Sequence, residues 1–149
     1  IIPHKITDDE YAEAWLEKEY TGKTFSEGTA EIYSERGERV RSKSEKIIAD
    51  MLNKRGIPYK YECPLQLNGI GIIYPDFTIL NKQERKEIYL EHLGMMDNAE
   101  YCENALRRID YYIKNEIMLG DQLLIIYETA KHPLNTSIVD KVIQSVTSK

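Results

Sequence analysis

Apolar positions recur along the chain at helix spacing, then strand spacing, then in alternation between the two. Thr7-Asp8-Asp9-Glu10 supplies an N-cap and an acidic first turn for a helix to about Tyr20, with Tyr11, Ala14, Trp15 and the aliphatic carbons of Lys18 on its inner side. Thr21 to Ala30 reads as loop. From about Glu38 to Lys54, Val40, Ser44, Ile47, Ile48, Met51 and Leu52 form a helical stripe that Gly56 stops. Three strand-like segments follow, Pro58 to Leu67, Gly71 to Leu80 and Glu87 to Leu93, joined by the polar connections Asn68-Gly69 and Asn81 to Lys86. Asn98 to Ile117 predicts the best amphipathic helix, with Cys102, Leu106, Ile109, Ile113 and Ile117 on one face. Leu123 to Tyr127 is continuously apolar, the pattern of a strand covered on both faces, central and parallel to a neighbour. A last helix runs from about Asn135 to Ser145. The order predicts an α/β fold, with an αβββαβ core around a small mixed sheet and a C-terminal helix. Residues 1–37, where periodicity is weakest, form an N-terminal helical arm against a domain spanning 38–149.

Composition narrows the class. A chain of 149 residues with 42% hydrophobic content fits one core. No apolar run approaches a membrane span and no secretory signal opens the chain, so a soluble protein is expected. It begins at Ile1 and not at a methionine, which fits a piece of something longer with an upstream or partner domain. Cys63 and Cys102 lack metal-ligand spacing and are too few for a disulfide framework, as suits a reducing, cytoplasmic setting. The net charge of −5 argues against a general nucleic-acid-coating protein and leaves room for a local basic groove. Eleven tyrosines against two phenylalanines supply amphipathic core and rim residues, a few of them suited to stacking on bases.

The chemistry sits among the strands. Asp76 interrupts the run Ile72-Ile73-Tyr74-Pro75-Asp76-Phe77-Thr78-Ile79-Leu80, where an unpaired carboxylate is costly. Glu91 occupies similarly apolar company in the next strand. Acids on adjacent strands can share a hard divalent cation, which takes one or two carboxylates plus water and substrate phosphate. Glu45 lies beside the apolar stripe of its helix, on the flank of Arg41, Ile48 and Leu52, and so at the edge of the core. The plainer reading of Arg41 and Glu45 is an exposed i,i+4 ion pair worth a few tenths of a kcal/mol.

Arg41-Ser42-Lys43-Ser44-Glu45, then Tyr74-Pro75-Asp76-Phe77, then Tyr89-Leu90-Glu91-His92-Leu93-Gly94, in this order and spacing, resemble the PD-(D/E)XK nuclease superfamily. The likeness is to a bacterial and phage subgroup whose third motif reads Glu-His-Leu-Gly, and it covers about Arg39 to Glu128. It implies a restriction-endonuclease-like core and a Mg²⁺-dependent (or Mn²⁺-dependent) phosphodiesterase acting on nucleic acid, with DNA the expected substrate. Asp76 and Glu91 are then metal ligands, and Glu45 a third acid binding directly or through water. The chain departs from the pattern two residues after Glu91, where the superfamily usually carries a lysine and this chain has Leu93. In the subgroup a basic residue on the following helix, ahead of an aromatic pair, takes that place; here it matches Arg108, before Tyr111-Tyr112. Lys114 is the alternative. Arg108 shares a helix flank with Tyr101, Ala105 and Tyr112, whereas Arg107, Tyr111 and Lys114 lie on the other, and one flank alone can face the acids. Arginine stabilises phosphate charge but, always protonated, is a poor general base.

Other features carry less. His92 faces opposite to Glu91 and suits a hydrogen bond within the fold or at the rim better than a metal. His4 and His132 look incidental, and Lys43 points away from Glu45's side of its helix. Gly69-Ile70-Gly71 and Gly94 serve turns and do not match a phosphate loop. Ser42 and Ser44 suit capping or packing, having no Ser-His-acid support. Leu93 keeps open the alternative of a catalytically lapsed nuclease fold that binds nucleic acid or protein. A two-carboxylate glycosidase is a third class, disfavoured because no deep-barrel pattern is present.

Overall fold

The computed structural model describes residues 5–147, so His4 lies outside the described residues. In chain order the elements are α1 (Asp8–Glu17), β1 (Ile32–Tyr33), β2 (Arg39–Val40), α2 (Lys43–Lys54), β3 (Tyr59–Tyr61), β4 (Leu65–Leu67), β5 (Gly71–Ile73), β6 (Phe77–Asn81), β7 (Lys86–Leu93), α3 (Ala99–Lys114), β8 (Leu123–Tyr127) and α4 (Thr136–Thr147). The main sheet has the order β3-β6-β7-β8, antiparallel up to β7 and parallel between β7 and β8. A parallel pair needs a crossover connection, and α3 provides it. The fold is thus α/β with a mixed sheet and helices at both ends. Among the described residues no helix is long and apolar enough to cross a membrane.

Several expected boundaries move, each for a local reason. β8 stands at an edge of the main sheet and not at its centre. Its unbroken apolar run reflects cover on both faces: Leu124 and Ile126 join the cluster of Ile48, Val139 and Ile143, while Leu123 joins Tyr112. The expected strand over 58–67 divides into β3 and β4, because Glu62 adopts a left-handed φ of 48° and Pro64 follows. The strand over 71–80 divides at Pro75, which has no N–H for a ladder. Asp76 therefore lies in the break before β6 and not within a strand. β4 and β5 leave the main sheet as a separate hairpin, with Gly69 in its turn at a φ of 94° and Gly71 opening β5 at 90°.

Residues 39 and 40 are strand and not helix: they pair with β1, and α2 starts only after Ser42, whose hydroxyl accepts from Glu45 N–H at 3.1 Å. On α1 the inward residues are Tyr11, Ala12 and Trp15, and Ala14 and Lys18 are exposed. Trp15 packs with Leu80 and donates to Glu87 at 2.8 Å, and Lys60 lies 4.2 Å over its ring. Ile47 on α2 and Ile138 on α4 face solvent. The largest departure is on α3, where Leu106 and Ile113 of the expected inner stripe are 48% and 39% exposed and the buried residues are Ala105 and Tyr112. The helix packs through the flank that carries Arg108 and Tyr112, which gives the buried Glu91 carboxylate its partners. Tyr59, Phe77, Ile48, Leu52 and Ile79 are fully buried between the sheet and α2, each side chain contributing about 1.5–3 kcal/mol.

Candidate active site

One end of the main sheet gathers acidic residues. The β6–β7 ladder pairs Phe77 with Leu90, and one further step brings Asp76 opposite Glu91. The β3–β6 ladder pairs Tyr61 with Phe77, and the same step sets Glu62 beside Asp76, whose carbonyl accepts from Glu62 N–H at 3.1 Å. Glu45 comes from the first turn of α2. Its carboxylate accepts from the Tyr61 hydroxyl at 2.6 Å and from Arg41 N–H at 3.0 Å. The surface ion pair between Arg41 and Glu45 does not form. Instead the Arg41 guanidinium binds Glu62 at 2.6 and 2.9 Å, above the Phe25 ring at 4.1 Å.

On the α3 side, Glu91 is 5% exposed and accepts from Arg108 Nε at 2.8 Å and from the Tyr112 hydroxyl at 2.5 Å. Arg108 also donates to the Tyr74 carbonyl at 2.8 Å, so its fork is fixed on two sides. Burial alone would lower the Arg108 pKa, but the Glu91 charge outweighs it and the cation is held more firmly than usual. Burial, with the adjacent Glu91 and Glu45 carboxylates respectively, pushes the Tyr112 and Tyr61 phenols up, so both stay protonated donors. Lys114 is exposed, 5.1 Å from the Tyr111 ring, and does not line the cleft.

Asp76 is the strained member. Desolvation first, then the charges of Glu91 and Glu45, raise its carboxyl well above the usual range, against His92 N–H donating at 2.6 Å and the Arg108 charge. It keeps partial solvent access at the floor of a cleft of about 1000 Å³. Glu45, Glu91, Glu62 and Arg108 line the same cleft, with Lys23, Arg41 and Arg107. Arg107, expected on the far flank of α3, is thus at the rim of the cleft, because α3 is rotated from the orientation its apolar stripe predicts.

The ring of His92 turns away from Asp76 to Glu128, just past β8. Glu128 also accepts from Leu134 N–H at 3.0 Å and interacts with the Ser44 hydroxyl. Burial alone would raise the Glu128 pKa, but these hydrogen bonds hold it below the usual value. Ser44 neighbours Glu45, and His92 neighbours Glu91 and holds Asp76, so Glu128 ties together the segments that carry all three acids. The acid stands between serine and histidine, an order unlike that of a nucleophilic triad. Gly94 passes so near His92 that a Cβ there would stand 2.9 Å from the ring, which explains glycine at that turn.

Among the described residues no three Asp, Glu, His or Cys side chains already stand together as a ready-made metal cage. The reason is architectural. Glu45 comes from the α2 layer, Glu91 turns to the α3 layer, and Asp76 sits in the break between them. The oxygen donors of Asp76 and Glu91, opposite each other one step beyond the Phe77–Leu90 pair, fit a cation that takes one or two carboxylates and otherwise water. Cys63 and Cys102 are free and outside this arrangement.

The structure brings the expected residues Glu45, Asp76, Glu91 and Arg108 to one cleft, while the roles of Tyr61, Glu62, Tyr112 and Glu128 around them were not anticipated and Arg41 meets Glu45 through its backbone N–H and not its guanidinium. Tyr112 was findable, since it stands four residues beyond Arg108 on the same helix flank. Glu62 carries no signal, because a polar residue in an alternating strand reads as solvent-facing.

No protein-family model matches the chain. The chain is similar to an uncharacterized protein of Methanocaldococcus jannaschii, 31% identical over 124 residues, an alignment covering 74% of this chain and 10% of that protein. The chain spans about a tenth of the length of the relative it matches.

Proposed function

We propose that this chain is a Mg²⁺-dependent phosphodiesterase of the PD-(D/E)XK type that cleaves DNA in the cytoplasm. The observation that carries the reading is the Asp76 carboxyl, half-buried in the cleft beside Glu91 and Glu45 with its ionised form disfavoured. Like charges so placed are a liability to the fold and an asset to a cation site. A divalent cation bound there would lower the pKa of an attacking water and neutralise charge on the phosphoryl oxygens. The chain's own residues do the rest. His92 N–H fixes one Asp76 oxygen, Tyr112 and Arg108 fix Glu91, and Tyr61 fixes Glu45. Arg108, anchored on Tyr74 and Glu91, is placed to meet a phosphate oxygen by charge, and Leu93 leaves no ammonium group at the superfamily's usual position.

The test is cleavage of plasmid and oligonucleotide DNA in Mg²⁺ or Mn²⁺ by the natural chain, Asp76→Ala and Glu91→Ala. Activity confined to the natural chain is the expected result, and equal activity in all three refutes the reading. Glu128→Ala is expected to lower the rate by roughly 10- to 100-fold, as loss of a group bracing metal ligands does, with Glu128→Gln in between. A Mg²⁺ titration of initial rates measures it. The second reading, a lapsed nuclease that only binds, is favoured by Leu93, buried at 8% exposure where a lysine would serve. Salt-sensitive DNA binding without cleavage would select it.

A further inference from the structure

The β4–β5 hairpin displays apolar side chains inside a charged cleft. Ile72 is 59% and Ile70 39% exposed, and both line the cleft, as does the 51% exposed Met95 after β7. The hairpin is not a loose flap. Asn68 N–H donates to Asn115 Oδ1 at 2.9 Å and Asn115 Nδ2 returns a bond to the Asn68 carbonyl at 3.1 Å. Gly69 lies against Tyr111, where a Cβ would stand 3.0 Å from the ring, and Leu67 and Ile73 are buried beneath in the cluster of Tyr89 and Tyr112. A wall this firmly attached to α3 holds Ile70 and Ile72 toward the cleft at no ordering cost to a ligand.

The cations of the cleft divide into two kinds. Arg41 and Arg108 are matched by Glu62 and Glu91, whereas Lys23 and Arg107 form no ion pair among the described residues. A ligand complementary to the whole cleft therefore carries anionic groups for Lys23 and Arg107 and flat apolar faces for Ile70, Ile72 and Met95. An unpaired nucleotide strand has both, repeated at every step. Duplex DNA presents its phosphates but hides its base faces in the stack, and exposing one costs a few kcal/mol.

We propose that the β4–β5 hairpin is a base-binding wall and that the cleft takes single-stranded DNA, or the unpaired end of a duplex, in preference to intact duplex. The proposal rests on the phosphodiesterase reading. The experiment measures fluorescence anisotropy of a labelled 12-nucleotide single strand and of the blunt duplex of the same sequence, with Ca²⁺ in place of Mg²⁺. Natural chain, Ile72→Asn, Ile72→Phe and Asp76→Ala are compared, alongside cleavage in Mg²⁺. The single strand is expected to bind at least about tenfold tighter than the duplex. Ile72→Asn is expected to lose most of that preference and Ile72→Phe to keep it, because an aromatic face still stacks. Ile72 is exposed, so unchanged melting temperatures accompany these effects. Equal affinity for the two DNAs, or single-strand binding indifferent to Ile72→Asn, overturns the wall; Asp76-dependent cleavage in the same samples then leaves the phosphodiesterase reading standing. Absence of both binding and cleavage overturns the two together.

Discussion

Asp76→Asn is expected to abolish DNA cleavage, by about 10³-fold or more, while raising the melting temperature of the cation-free protein. The first effect follows because the amide removes a negative donor from the proposed cation site, and such a site supplies several kcal/mol of transition-state stabilisation. The second follows because the fold now holds a carboxylate whose ionised form burial, Glu91 and Glu45 all disfavour. Asparagine keeps an oxygen for His92 N–H and loses the charge. Relief of this kind is worth about 0.5–2 kcal/mol, or roughly 1–8 °C in a chain of this length. The pH dependence has a definite sign. A carboxyl raised in the native state binds its proton more tightly folded than unfolded, so its stabilising contribution is complete below about pH 4, the ordinary value. It is lost as the pH rises through the raised native value. The melting-temperature advantage of Asp76→Asn should therefore widen from pH 4 upward, and calorimetry of both proteins across that range measures it. An advantage that shrinks with rising pH would contradict the account.

Glu91→Ala is expected to be inactive and also unstable. Glu91 neutralises Arg108 and accepts the Tyr112 hydroxyl in the interior, and its loss leaves a cation without its paired carboxylate and a phenol without its acceptor. Removing one partner of a buried pair costs about 3–5 kcal/mol. Arg108 keeps 33% of its side-chain surface and can turn to water, so the low end applies, about 3 kcal/mol or roughly 6–12 °C. Urea denaturation gives the value directly. Glu91→Leu combined with Arg108→Met removes both charges at once and is expected to recover most of the stability without the activity.

These two acids were legible because each is embedded in apolar strand residues, where a carboxylate is costly without a purpose. Helix phase put Glu45 no further than the edge of the core, and it was the resemblance of the three motifs that implied a third acid there. What the sequence concealed is the way partners were distributed. Glu62 looked solvent-facing until a left-handed backbone and the Arg41 side chain met it at the sheet end. Glu128 lies just past an apolar strand, and its contacts with Ser44, His92 and Leu134 join segments distant in the chain. The α3 stripe misled because hydrophobicity ranks Leu106 and Ile113 above Arg108 and Tyr112, whereas the helix is oriented by what Glu91 requires. The same competition divided two expected strands. Pro75 and the Glu62 turn end pairing at the sheet margin, and that ending sets Asp76 in a break that opens on the cleft.

A manganese-soaked crystal, mapped by anomalous scattering, addresses the central claim most directly. One peak is expected between the Asp76 and Glu91 carboxylates in the natural protein, lost in Asp76→Asn. A fully occupied peak elsewhere, or none at Asp76 and Glu91 under conditions that support cleavage, would contradict it.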